Sequence, residues 1–123
     1  MHQIIIEDHA QIIRVKFSGE YGLQEIMAYH NDLLKIELPE KVLILEDYRN
    51  AESVLTSSDI DKIIQLSKET LKVNKIFRVA FLNDSPKSIA LAQVFEEELN
   101  SYTFTHKAFS SEEAAMEWLT AWI

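Results

Sequence analysis

Two hydrophobic periods alternate along the chain, and the points where one gives way to the other mark its elements. Gln3-Ile4-Ile5-Ile6-Glu7 is a short apolar run bounded by polar residues. Beyond Asp8-His9, Ile13, Val15 and Phe17 alternate with Arg14 and Lys16. A period of two belongs to a half-buried strand, so residues 3–18 read as an antiparallel hairpin that Ser18-Gly19-Glu20 ends. From about residue 22 to 37 the period lengthens, and Leu23, Ile26, Met27, His30, Leu33 and Leu34 form one helical stripe before Pro39. Lys41 to Asp47 then carries four consecutive apolar residues with no alternation, the pattern of a strand covered on both faces. Residues 48–57 read as a loop.

Thr56-Ser57-Ser58-Asp59 offers several helix caps, with Asp61 three residues after Ser58. The helix that follows places Ile60, Ile64, Ser67 and Leu71 on one face, with Ile63 beside them. Asp59 and Asp61 near its start, and Lys68, Lys72 and Lys75 towards its end, suit the helix dipole. Ile76 to Leu82 is a second mostly apolar strand. Ser85-Pro86 opens a helix over about 86–99 with Ile89, Ala92, Phe95 and Leu99 inward, and Asn100 is placed to end it in a left-handed conformation. Tyr102 to Phe109 reads as the last strand. Ser110 and Glu113 then form a capping box, and Ala114, Ala115, Trp118, Leu119 and Trp122 form the stripe of a final helix. The order β-β-α-β-α-β-α-β-α predicts an α/β fold, a mixed and largely parallel sheet flanked by helices through right-handed crossovers. A length of 123 residues predicts a single domain over 1–123.

This order and three local patterns resemble the SpoIIAA-like proteins, the wider group with STAS and CRAL-TRIO-like folds. The patterns are Phe109-Ser110-Ser111-Glu112-Glu113-Ala114 running into Trp118-Leu119, Val42-Leu43-Ile44-Leu45 ending in Asp47, and Arg78-Val79-Ala80-Phe81. The resemblance implies a scaffold domain and not an enzyme. In STAS regulators an acidic residue followed by Ser-Ser-Gly starts the helix after the third strand, and a serine there is phosphorylated by a partner kinase. The corresponding stretch here is Leu55-Thr56-Ser57-Ser58-Asp59, which keeps the hydroxyls but lacks the preceding acid and the following glycine.

Composition narrows the function classes. There is no cysteine, which removes disulfides, thiolate catalysis and cysteine-based metal centres. Twelve basic against twenty acidic residues leave a formal charge of −8 and no Lys/Arg cluster, so nucleic acid is not an expected partner. No stretch approaches the ~20 apolar residues of a membrane span, and the first residues carry neither a basic segment nor a long apolar run. Integral membrane association is therefore not expected, and the expected location is cytoplasmic.

Candidate chemistry is sparse. His2, His9, His30 and His106 show no metal-ligand spacing, so neither a metal nor a cofactor is expected, and His30 reads as a partly buried packing residue. The hydroxyl cluster Thr56, Ser57 and Ser58 is either a set of caps or, at Ser57 or Ser58, a phosphosite, with capping preferred. Asp47, Arg49 and Asn50 after one central strand, and Asn83, Asp84 and Ser85 after its neighbour, would form a loop face beyond the carboxyl ends of the strands, where ligands bind in parallel sheets. Asp47 with Arg49 there could equally be a surface ion pair, and Glu96-Glu97-Glu98 a solvated acidic face. Trp118 and Trp122 would cover the sheet, or serve a homodimer. The resemblance implies a non-enzymatic binding domain, and its CRAL-TRIO side implies a small apolar or lipid-like ligand held between helices and sheet, nearest Tyr48, Val54, Leu55, Phe81 and Phe95. The alternative is a STAS-type module that binds a protein partner in signalling.

Overall fold

Strands and helices follow one another in the anticipated order in the computed structural model, which describes residues 1–6, 11–70, 75–101 and 103–122, the side chain of Thr70 excepted. They are β1 (His2–Ile6), β2 (Ile12–Tyr21), α1 (Leu23–Leu34), β3 (Lys41–Ser53), α2 (Ser57–Thr70), β4 (Ile76–Leu82), α3 (Pro86–Leu99), β5 (Phe104–Phe109) and α4 (Glu112–Thr120). The sheet is ordered β1-β2-β3-β4-β5, with β1 antiparallel to β2 and the other three pairs parallel. The turn at Asp8-His9, the inward Leu71, Lys72 and the strand residue Tyr102 lie outside the described residues.

The unbroken apolar runs of β3 and β4 are explained by helices on both faces of the sheet. On one face Val15, Phe17, Val42, Ile44, Phe77, Val79 and Phe81 meet Ile26, Tyr29 and Leu33 of α1, Ile63 of α2 and Ala92 of α3. On the other, Ile12, Leu43, Leu45, Ala80 and Leu82 lie under Ala115 and Leu119 of α4. Full burial of one such aliphatic side chain contributes ~1.5–3 kcal/mol, so both faces matter to stability. Arg78 stands on the α4 side of β4, where its guanidinium sits 3.9 Å from the Trp118 ring centre and 4.4 Å from that of Trp122. The two tryptophans thus cover the sheet, as their spacing implies, but do so partly by flanking a cation.

Several local expectations are corrected. The inward stripe of α1 is Ile26, Tyr29 and Leu33, while Met27 and Leu34 are 45% and 46% exposed. The helix therefore turns its tyrosine inward, because the phenol finds a half-buried acceptor described below. β2 does not end at Ser18-Gly19-Glu20 but continues to Tyr21, with Gly19 at φ 69°, a backbone open to glycine at little cost. β3 likewise runs through the supposed loop to Ser53, because the lengthened β2 supplies it with a partner from Ser18–Asn50 to Tyr21–Ser53.

The helix starts are also redistributed. Thr56 and Asp59, and not Ser58 and Asp61, cap α2 reciprocally: the Asp59 N–H donates to Thr56 Oγ1 (3.2 Å) and the Thr56 N–H to Asp59 Oδ2 (3.0 Å). In α4 the cap is Ser111, whose Oγ accepts from the Ala114 N–H at 3.2 Å, one residue after the expected Ser110. Asn100 is extended (φ −61°, ψ 127°) and not left-handed, since its side chain is drawn to β5, where Oδ1 accepts from the His106 N–H at 2.8 Å. Glu96 acts in the same way: its Oε1 accepts from the Ala108 N–H at 2.8 Å, so only Glu97 and Glu98 remain an exposed acidic face. These two contacts occupy backbone donors on the outer edge of β5 and blunt it against pairing.

Candidate functional site

The face covered by α1, α2 and α3 does not close completely. Between these helices and β3–β5 lies a cavity of about 90 Å³. Its floor follows from strand alternation, which aims every second residue at the same face. β3 contributes Ile44, Glu46 and Tyr48, β4 Phe77, Val79 and Phe81, and β5 Phe104 and His106. Its roof is Ile26, Tyr29, His30 and Leu33 from α1, Ile63 and Ser67 from α2, and Leu91, Phe95 and Leu99 from α3, with Tyr21 and Leu55 at the ends of β2 and the β3–α2 connection.

Tyr48 is held by stacking on both sides. Its ring lies 4.2 Å from that of Phe17 at an interplanar angle of 7°, and 4.6 Å from that of Phe81. Its place depends on a register shift. Lys16 pairs with Asp47 and Ser18 with Asn50, so Tyr48 and Arg49 share the position opposite Phe17. Such an extra residue bends a strand and re-aims the side chains after it. Asn83, directly after β4, braces the same place: Nδ2 donates to the Tyr48 carbonyl at 3.0 Å, and Oδ1 accepts from the Ser85 N–H at 2.8 Å.

Glu46 is the chemically distinctive group. The Tyr29 hydroxyl donates to its Oε2 at 2.7 Å. Burial raises its pKa from 4.5 to about 7, against the opposing hydrogen bonds of Tyr29 and Tyr48. No ion pair to it is found among the described residues. The neighbouring phenols respond in kind. Burial first, then the Glu46 charge, pushes Tyr29 and Tyr48 well above the usual tyrosine range. Burial also lowers His30 and His106 to about 4, so both are neutral imidazoles at neutral pH. His106 Nδ1 is buried with no hydrogen-bond partner.

Of the side chains expected nearest a ligand, Tyr48, Leu55, Phe81 and Phe95 line this cavity, whereas Val54 is 50% exposed and does not. The loop face is rearranged. Asp47, Arg49 and Asn50 belong to β3 and do not lie beyond its end, so only Asn83, Asp84 and Ser85 leave a strand there. Asp47 and Arg49 form a bidentate pair, with Arg49 Nη2 to Asp47 Oδ2 at 2.7 Å and Nε to Oδ1 at 3.0 Å, and Arg49 also reaches Glu112 at 3.3 Å. Burial opposes ionisation of Asp47, but the hydrogen bonds from Arg49 outweigh it and hold the carboxyl below its ordinary range. This group faces α4, away from the cavity. Ser57 and Ser58 are exposed in the first turn of α2, remote from capping now that Thr56 and Asp59 provide it.

Glu46, Tyr21, Tyr29, Ser67 and His106 were not singled out as ligand neighbours from the sequence. The signal lay in the register: in Val42-Leu43-Ile44-Leu45-Glu46-Asp47-Tyr48, Glu46 shares parity with Ile44 and Tyr48, and so must face the same core. Among the described residues no group of three histidine, aspartate or glutamate side chains could hold a metal ion, and no helix is long and apolar enough to cross a membrane.

The sheet order, the helix placement and the α4 closure are those of a known fold, and a family profile for SpoIIAA-like proteins matches residues 12–120. The chain belongs to the SpoIIAA-like family. Among solved structures, this SpoIIAA-like domain is similar to an uncharacterised protein of the DUF3478 family with a SpoIIAA-like fold from Shewanella loihica PV-4. The TM-score is 0.63 at 17% identity, over 97% of this chain and 92% of that one. It is also similar to an anti-sigma factor antagonist from Mycobacterium paratuberculosis, with a TM-score of 0.53 at 20% identity over 98% and 95% of the two chains. No curated protein matches it.

Proposed function

We propose that this SpoIIAA-like domain is a non-catalytic, cytoplasmic binding domain whose site is the cavity between α1–α3 and the sheet. One observation carries the reading: a largely apolar, aromatic-walled space holds at its floor one carboxyl among the described residues, Glu46. Binding sites are typically apolar concavities in which a few polar groups fix orientation. Catalysis would need a nucleophile activated by a base, and among the described residues the Ser67 hydroxyl is hydrogen-bonded to neither a histidine nor a carboxylate. The volume favours the small end of the ligand range. A dry cavity of ~150 Å³ holds one benzene ring, so about 90 Å³ suits a molecule of a few heavy atoms, and an acyl chain would require a helix to move outward. Native mass spectrometry of protein purified from its own host, followed by thermal-shift measurements with small apolar compounds, tests this reading. A co-purified small molecule or a raised melting temperature is expected. No adduct and no shift across the series would overturn it.

A second reading is favoured by a different observation. The Ser57 and Ser58 hydroxyls stand exposed in the first turn of α2 with the capping done by their neighbours. A dianion at that position is stabilised by the helix terminus, although Asp59 and Asp61 oppose it. In this reading the domain is a protein-interaction module, in keeping with the anti-sigma factor antagonist among its structural neighbours. Incubation with kinases from its own host would label Ser57 or Ser58 and change what a pull-down recovers. An unlabelled protein whose Ser57→Asp variant recovers the same partners would reject it.

A further inference from the structure

Glu46 faces the cavity as an acceptor, and among the described residues it meets no cation. Its known neighbours are phenols: Tyr29 donates to Oε2, and Tyr48 is turned towards it. A carboxylate offers about four acceptor sites, so one or two phenol donors leave capacity unfilled, and no described side chain supplies a counter-charge when Glu46 ionises. Among the described residues no lysine or arginine lines the space. The walls beside Glu46 are aromatic, with the Tyr21 and Tyr48 ring centres 5.1 Å apart and the Tyr48 and Phe81 centres 4.6 Å apart. These rings pack on one another, with both faces of Tyr48 taken by Phe17 and Phe81, and form a wall of low polarity beside the carboxyl, where a charge pair is stronger than in water.

We propose that the ligand class of this cavity is a small organic amine, bound as its ammonium ion against the Glu46 carboxylate, with its alkyl group in the aromatic and aliphatic space above. The proposal rests on the reading of the cavity as the binding site and deepens it. An ammonium supplies both things the site lacks, a counter-charge and additional N–H donors, while its alkyl group meets the apolar wall formed by Leu55, Ile63 and Phe95. An anionic ligand fits less well, because both phenol neighbours are committed as donors around a carboxyl that would then face a second acid. The volume limits the amine to about three to five heavy atoms, the range from ethylammonium to butylammonium.

Binding has a proton signature. A Glu46 that is protonated in the empty cavity must give up its proton to form the pair: carboxylic acid plus ammonium yields the carboxylate–ammonium pair and one proton released to buffer. The other titratable groups facing the cavity do not exchange protons near pH 7, since Tyr21, Tyr29 and Tyr48 lie above the usual tyrosine range and His30 and His106 lie near 4.

The test compares n-propylammonium chloride with its neutral isostere 1-propanol, at matched ionic strength, by methyl NMR of the cavity residues Leu55, Ile63 and Leu99. Calorimetry of the unmodified protein near pH 7, in two buffers of different ionisation enthalpy, supplies the proton count. The expected result is ammonium binding at least about tenfold tighter than the alcohol, a fractional proton released per ammonium, and loss of that preference in Glu46→Gln. Propanol binding as tightly as the ammonium, with no proton released, would overturn the amine assignment and leave the cavity reading standing. Perturbation of the cavity methyls by neither compound would remove both. The calorimetric proton count requires no variant and so decides the matter even if Glu46→Gln fails to fold.

Discussion

Glu46→Gln tests the electrostatic account of the cavity through stability alone. Glutamine has nearly the same shape and can still accept from Tyr29, but it cannot ionise. In the folded protein the Glu46 pKa is raised from 4.5 to about 7. Between those values the unfolded chain has lost its proton while the folded chain keeps it, so stability falls as pH rises, by ~1.4 kcal/mol per pH unit. The contribution is fully present below pH 4.5 and gone above about 7. The full span amounts to ~3–4 kcal/mol, and to ~2–3 kcal/mol once screening by solvent reaching the half-buried carboxyl is allowed for. His30 and His106 work in the opposite sense. Their folded pKa values of about 4 lie below the ordinary 6.5, so the unfolded chain takes up protons first and stability is lost as pH falls through that window. The raw pH profile therefore mixes the two effects, and the difference between wild type and variant isolates Glu46. Urea unfolding at about pH 5 and about pH 8 should give near-equal stabilities at the lower pH and a variant more stable by ~2–3 kcal/mol at the higher. A difference that is the same at both pH values would refute the reasoning.

Three further outcomes follow from the same contacts. Thr56→Ala and Ser111→Ala should each cost ~1 kcal/mol in urea unfolding, while Ser58→Ala and Ser110→Ala should stay within ~0.5 kcal/mol, because the caps are the former pair. Glu96→Ala should destabilise by ~1–3 kcal/mol and increase aggregation seen by light scattering, since it frees the edge N–H of Ala108. A double-mutant cycle of Arg78→Met with Trp122→Ala should give a coupling of ~0.5–2 kcal/mol. Strict additivity would mean that the guanidinium and the indole, 4.4 Å apart, do not interact.

Legibility from the sequence differed by length scale. β4 and α3 were legible to the residue, because Ile76–Leu82 is an apolar run broken only by Arg78 and Pro86 fixes a helix start. The resemblance carried by Phe109 to Leu119 pointed to the right family. Boundaries that depend on a partner were less legible. Nothing local marks Tyr48 to Ser53 as strand, since Arg49-Asn50-Ala51-Glu52-Ser53 is polar and unpatterned. They pair because β2 extends alongside. Caps moved by one or two residues for a related reason, since serine, threonine and aspartate are interchangeable locally and the exit angle of the chain chooses among them.

The cavity shows the same division. Tyr48, Leu55, Phe81 and Phe95 could be placed near the helix–sheet interface from pattern alone, and all four line it. The polar members could not be chosen that way. Glu46 looks like an ordinary strand-end acid, and Tyr29 like an exposed neighbour of a stripe drawn through Met27. Each is explained only by the other, since a phenol aimed inward gives the carboxyl a donor and the carboxyl gives the phenol an acceptor.

By itself the sequence determined the order of elements, the faces of the central strands and the family, because these depend on periodicities of two and 3.6 that are written locally. Only the tertiary structure decided where β2 and β3 end, which hydroxyls cap, and that a carboxyl stands in an aromatic cavity with a phenol as its hydrogen-bond donor. Each of those depends on what a distant segment brings within a few ångströms, and desolvation, which makes Glu46 chemically unusual, belongs to the assembled interior and to no residue alone.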